Sequence, residues 1–229
     1  MTYRYAIYFS PSTASTLGAF GAEWLGRTIE GQDLGAPVLS NISSADWETA
    51  TAAPRRYGFH ATLKPPFRLT EGSSEGDLLS AVKTYAAGTA PVILGDLRIA
   101  RISAFLALRP ERQEAVARLA ADIVRTFDDY RVPLTPDERA RRRPGTLSPA
   151  QRTLLDSWGY PFVMGEFRFH MTLTARLPPA DAKRFSTELE KLFDPAKIGP
   201  VTIDAICVFR QDTPDNDLTL LKRCCFRNA

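Results

Sequence analysis

The chain has 229 residues, 44% of them hydrophobic and 24% charged, with a formal net charge of +3. That size and balance suit one large domain with its own core, exclude wholesale disorder, and leave too little positive charge to argue for duplex DNA as a partner. Three cysteines, two of them adjacent at Cys224 and Cys225, make a poor disulfide framework, and no apolar run reaches the roughly 18 residues of a membrane span. The expectation is a cytoplasmic protein with no membrane contact.

Tyr3 to Phe9 is aromatic and β-rich and is ended by Pro11, which predicts a strand. Leu17, Phe20, Gly21 and Trp24 recur at helical spacing and predict a short helix. Gly31 and Gly35 then break the pattern, and the stretch from Gly31 to Pro54 reads as mostly loop. A strand over Arg56–Lys64 follows, stopped by Pro65-Pro66 because proline cannot donate to a sheet ladder. Ser74 and Asp77 form a capping-box pattern ahead of a helix whose inner face is Leu78, Val82, Tyr85 and Ala86. Strands over Pro91–Ile99 and Ile102–Leu108 precede the clearest helix, opened by Pro110-Glu111 and carrying Val116, Leu119, Ala120, Ile123 and Phe127 on one face.

Residues 131–157 form a long irregular stretch that holds Arg139, Arg141, Arg142, Arg143 and Arg152 among several prolines. A structureless segment of that length is usually functional or disordered. Its arginines read either as solvated loop surface or as an arm that touches substrate phosphate. A strand over Val163–Ala175 ends at Pro178-Pro179, and a helix with Phe185, Leu189, Leu192 and Phe193 inward comes next. Strands over Val201–Phe209 and Leu218–Phe226 close the chain. The order strand, helix, strand, helix, strand thus occurs twice, from Tyr3 and from Ile102. It predicts an α+β fold, a single bilobal domain over 1–229 with antiparallel sheets, outer helices and a central cleft. An N-terminal lobe 1–101 and a C-terminal lobe 102–229 would be related by a pseudo-two-fold axis.

The two histidines of the chain share one setting, Phe59-His60-Ala61-Thr62-Leu63 and Phe169-His170-Met171-Thr172-Leu173, which marks an internal repeat. On a strand, residues i and i+2 share a face, so each segment sets an imidazole beside a hydroxyl. Two imidazoles supply a proton donor and a proton acceptor together, and the hydroxyls of Thr62 and Thr172 can donate to phosphate oxygens. The same period brings Arg56, Gly58 and Lys64 to the His60 face, and Glu166 and Arg168 to the His170 face. Arg56, Lys64 and Arg168 are candidates to bind an anionic substrate, or else strand-end charges facing solvent. Tyr8 and Tyr57 are candidates to stack on a base or sugar, or else core. Two histidines and cysteines without C-x-x-C spacing do not make a zinc site, and no Walker loop, G-x-G-x-x-G or G-x-S-x-G occurs; no metal or other cofactor is implied.

The two F-H-x-T-L segments resemble the paired H-x-T motifs of the 2H (two-histidine) phosphoesterase superfamily. That resemblance implies a metal-independent enzyme that opens a cyclic phosphate or phosphodiester, with His60, Thr62, His170 and Thr172 as its catalytic set. Tyr8, Arg56, Tyr57, Lys64, Arg168, Arg141, Arg142 and Arg143 would then surround a small phosphorylated substrate or an RNA terminus. The run from Tyr57 to Phe67 and Trp158-Gly159-Tyr160-Pro161 are similar to a bacterial branch associated with phosphonate-utilisation operons. A non-catalytic phosphate- or RNA-binding module, a 2',5' RNA ligase and a 2',3'-cyclic phosphodiesterase of RNA ends remain open at this level, as does which histidine is the base.

Overall fold

The run Tyr5-Ala6-Ile7-Tyr8-Phe9 is apolar at successive positions, hence on both faces of a strand, and in the computed structural model it becomes β1 (Arg4–Phe9), buried on both sides. The structure describes residues 3–227, and of residues 195 and 196 the backbone; the outer limits of the expected lobes, at 1 and 229, lie outside the described residues. Helix α1 (Thr16–Leu25) is capped by Ser15 and ended by the left-handed Gly26. Helix α2 (Ser44–Arg55) lies where a loop was expected: Ser43 accepts from the Asp46 amide, and Trp47, Ala50, Thr51 and Pro54 make a buried stripe at helical spacing. The glycines upstream hide that stripe when the stretch is read by composition.

Strand β2 (Ala61–Phe67) starts just after His60 and runs through Pro65-Pro66 rather than stopping there. Helix α3 (Glu75–Gly88) begins with the expected Ser74–Asp77 capping box. The strand expected over Pro91–Ile99 breaks at Gly95, where φ is +75°, into β3 (Val92–Gly95) and β4 (Leu97–Ile102), followed by β5 (Phe105–Pro110) and α4 (Glu114–Thr126). The stretch 131–157 is not structureless. It holds α5 (Pro136–Arg141) and α6 (Pro149–Trp158), each with proline in the first turn and a capping box, Thr135 with Glu138 and Ser148 with Gln151. Of the second expected histidine strand only β6 (Met171–Thr172) is paired as a strand. Helix α7 (Pro179–Leu192), the short α8 (Pro195–Ile198), β7 (Val201–Ile203), β8 (Ala205–Gln211) and β9 (Thr219–Cys225) complete the chain. Phe185, Leu189 and Phe193 are buried as expected, whereas Leu192 is 36% exposed.

The strands form a four-stranded sheet in the order β2-β1-β8-β9, a three-stranded sheet β4-β5-β6, and the pair β3-β7, all antiparallel. Proline is tolerated in β2 because β2 is an edge strand, with one side free of ladder bonds. Helix α3 packs on β8 and β9, α4 on β2 and β3, and α7 on β4 and β5. The α+β class with antiparallel sheets agrees with the sequence reading. The sheets cut across the expected boundary at 101/102, however. β8 and β9 return from the C-terminal part to complete the sheet of β1 and β2, because a central strand buried on both faces must pair both rows of its backbone polar groups.

The four-stranded sheet has two unlike faces. Tyr5, Ile7 and Phe9 enter the main core with Phe59, Leu63 and Val208, whereas Ala6 and Tyr8 point the other way, into a small cluster with Ile29, Cys207, Phe209 and Leu218. His60 belongs to that second face. No helix among the described residues is long and apolar enough to cross a membrane.

Candidate active site

His60 sits in the turn that joins α2 to β2. Gly58 takes φ +71°, a left-handed conformation that glycine adopts without a Cβ clash, and its carbonyl lies 2.8 Å from Nδ1 of His60. A carbonyl only accepts, so Nδ1 carries the proton and Nε2 is left as the basic nitrogen, with Thr62 Oγ1 at 3.2 Å. Tyr8 stacks on the ring with centroids 3.9 Å apart, and Tyr57 and Phe209 stand at 6.1 and 6.5 Å. The neighbouring Phe59 is held from both sides. Ser10 donates to its carbonyl at 2.7 Å, and α1 presses on its ring at Gly21, where a Cβ would come within 1.9 Å.

His170 repeats the arrangement. Its Nδ1 lies 2.7 Å from the Arg168 carbonyl, again two residues back, so the same nitrogen is tied and the same Nε2 is left for chemistry. The Phe169 amide donates to Gln113 Oε1 at 2.8 Å, and Trp24 Nε1 donates to the Leu173 carbonyl at 2.8 Å. In the ladder, Thr172 pairs with Ala107 and Met171 with Leu108. The ring of Phe105 is 5.7 Å from that of His170.

β2 and β6 lie against each other, and the rings are close enough for charge on His170 to lower the pKa of His60. Burial is the larger cause and brings His60 down to about 4, against the upward pull of the Gly58 carbonyl. Burial also lowers His170, the Arg168 carbonyl opposes it, and Arg109 lowers it further. Both imidazoles are therefore neutral near pH 7, and both are half-buried, within reach of a ligand. Tyr8 is raised well above the usual phenol range by burial, then by Tyr57 and Tyr160.

Residues 62–219 match the family described as a protein of unknown function, DUF1045. The chain belongs to that family. The matched segment includes Thr62, His170 and Thr172 and begins just after the His60 turn. This DUF1045 chain is 39% identical over 220 residues to the ribose 1,5-bisphosphate phosphokinase PhnN of Janthinobacterium sp. (strain Marseille), covering 92% of the chain and 48% of the relative. The relative of the same name from Laribacter hongkongensis (strain HLHK9) is 38% identical over 201 residues, 86% of the chain and 46% of the relative. The chain thus spans about half the length of the curated relatives it matches. Among solved structures it is similar to TT0787 of Thermus thermophilus, at 19% identity over 99% of this chain and 98% of that one with a TM-score of 0.43. It is also similar to E. coli LigT complexed with 3'-AMP, at 12% identity over 99% of each chain with a TM-score of 0.42. Scores of that size carry nothing about chemistry, which is decided by the residues of the site.

Beyond the histidines and threonines, the DUF1045 chain brings some sequence candidates to the site and withholds others. Tyr8 and Tyr57 flank His60. Lys64 does not share the face of His60: Tyr8 pairs with Thr62 but Ile7 pairs with Lys64, so an extra residue at Leu63 bulges the strand and turns Lys64 toward the core. There its ammonium donates to the Val124 carbonyl and to Asp128, at 1% exposure. Arg56 donates to the carbonyls of Pro214 and Asn216 and pairs with Asp217. Arg168 donates to the carbonyls of Gly165 and Phe167. The simple alternation read from the sequence fails for Arg56 and Arg168 because residues 56–60 and 163–170 are not strand.

Arg141 and Arg142 line a cavity of about 610 Å³ together with Arg4, Arg68, Arg131 and Trp158; Arg143 is not among its lining residues. Arg142 reaches over the Tyr160 ring at 5.2 Å, and Arg4 acts electrostatically on Tyr8, but neither histidine lines the cavity. Arg68 and Arg131 are already engaged by Glu138 and Asp128. Arg109, Phe105, Arg4 and Tyr160 were not singled out from the sequence as site residues. Arg109 and Phe105 alternate with Ala107 along β5 on the face of Thr172, a signal readable only once the pairing partner is known. Among the described residues no cluster of three or more histidine, cysteine or acidic side chains is placed to hold a metal ion.

Proposed function

We propose that this chain is a phosphoesterase that opens a cyclic phosphate or phosphodiester by acid and base catalysis between His60 and His170, without a metal ion. The observation that carries this reading is the repeated latch: two imidazoles, each just ahead of a strand of a different sheet, each with Nδ1 tied to the carbonyl two residues back so that Nε2 is left for chemistry. A phosphate between them would accept hydrogen bonds from Thr62 and Thr172. Nε2 of one neutral imidazole takes a proton from water as its oxygen adds to phosphorus, the P–O ester bond breaks, and the other imidazole, which takes up a proton at Nε2 when the anionic phosphate binds beside it, returns that proton to the leaving alkoxide. His60 suits the base role, because its stronger downward shift keeps it neutral when negative charge binds nearby. The relatives' name concerns a phosphorylated ribose, which favours a sugar phosphate as the substrate class and fits a role in phosphonate metabolism.

The test is turnover of a panel of nucleoside 2',3'-cyclic phosphates and sugar cyclic phosphates with EDTA present. His60→Ala and His170→Ala are each expected to abolish turnover while circular dichroism stays that of the parent. Turnover that survives in either variant refutes the assignment, and saturable binding with no product in the parent favours a binding module instead.

A further inference from the structure

The three-stranded sheet presents an ordered lattice of side chains on its His170 face. The register sets Arg98 opposite Arg109, Ala100 opposite Ala107, and Ala107 opposite Thr172. Continuing the last pairing by one step of two residues puts Arg109 beside His170. One row therefore reads Arg98, Arg109, His170, and the next reads Ala100, Ala107, Thr172.

Like charges directly opposite each other in an antiparallel ladder destabilise it. Here no acid relieves them. Arg55, Arg68, Arg139 and Arg210 each have a carboxylate partner, but among the described residues neither Arg98 nor Arg109 makes an ion pair or a hydrogen bond. Nε of Arg109 is buried with no acceptor, which is costly in a folded chain unless a ligand supplies one. Arg109 also acts electrostatically on His170, so the pair lies beside the reacting position.

We propose that Arg98 and Arg109 form a second anion subsite, so that the substrate is a small cyclic phosphate ester bearing a separate phosphate monoester. This deepens the phosphoesterase reading and rests on it. Adjacent strands lie ~4.8 Å apart, so an anion held by the two guanidiniums sits roughly 5–10 Å from a phosphorus at His170. That span matches two phosphates on one pentose-sized sugar and is too long for two phosphates joined directly. Water adds to the ring phosphorus, one P–O ester bond opens, and the product is a sugar with two phosphate monoesters.

The probes are adenosine 2',3'-cyclic phosphate and the same compound carrying a 5'-phosphate. The parent chain is expected to favour the doubly charged compound by ~10-fold or more in kcat/KM. In Arg98→Gln that ratio falls toward one, and Arg98→Lys restores part of it. A ratio near one in the parent, or an undiminished ratio in Arg98→Gln, overturns the subsite. If neither compound is turned over, calorimetry with ribose 5-phosphate and ribose 1,5-bisphosphate separates the two claims. Tighter bisphosphate binding that Arg98→Gln removes and His60→Ala keeps supports the subsite while the hydrolytic reading fails. Equal binding of the two overturns the subsite itself.

Discussion

Lowering the pH from 7 to 5 is expected to weaken the fold through His60. Burial under Tyr8, Tyr57 and Phe209 brings its folded pKa from 6.5 to about 4, whereas the unfolded chain keeps the ordinary value. Between those two values the unfolded state binds more protons, so stability is fully present above the unfolded pKa and is lost as pH falls toward the folded one. At about 1.36 kcal/mol per pKa unit the full effect is roughly 3 kcal/mol, of which about 2 kcal/mol disappears between pH 7 and 5. His170 is shifted in the same direction and adds to the loss, so the measurement is a difference: urea unfolding of the parent and of His60→Gln at both pH values. The variant is expected to lose about 2 kcal/mol less than the parent over that interval. In His170→Gln the remaining imidazole proton resonance is expected to titrate near pH 4. Equal pH slopes in parent and His60→Gln, or a resonance that titrates near 6.5, would refute the claim that burial holds this ring neutral.

Gly58→Ala forces a Cβ into the left-handed conformation at a cost of about 1–2 kcal/mol, and because the Gly58 carbonyl orients His60, turnover falls as well. Gly72→Ala, at φ +87° with open space around it, is the control: a similar stability loss in urea with turnover kept. Gly21→Ala drives a methyl group into the Phe59 ring and is expected to cost about 1–3 kcal/mol by thermal unfolding, with lowered kcat through the displaced His60 turn. Lys64→Met leaves Asp128 paired with Arg131, so kcat/KM is expected to hold; a tenfold loss, about 1.4 kcal/mol of barrier, would mean that Lys64 meets the substrate after all.

The groups proposed to react were legible in the sequence because they are few and repeated. Two histidines in one shared setting announce a pair whatever the fold, and the i, i+2 placement of Thr62 and Thr172 names their helpers. The capping box at Ser74 and Asp77 and the apolar stripe of α4 were equally local and equally readable. Helices α2, α5 and α6 carried readable signals too, a serine or threonine cap with a glutamine, glutamate or aspartate three residues on, but proline and glycine nearby outweighed them at the level of composition.

The cations are where local pattern failed, for a physical reason. Strand alternation assigns a face only while the pairing continues without an extra residue, and the bulge at Leu63 alone moves Lys64 from the expected site into the core. Arg98 and Arg109 lie in adjacent hairpin strands with nothing local to mark them; only the pairing of β5 with β6 sets them in line with His170. Sequence by itself therefore determined which groups can exchange a proton, since that depends on side-chain identity and near neighbours. Tertiary structure decided which charges surround them, because cross-strand register and burial depend on contacts far apart along the chain.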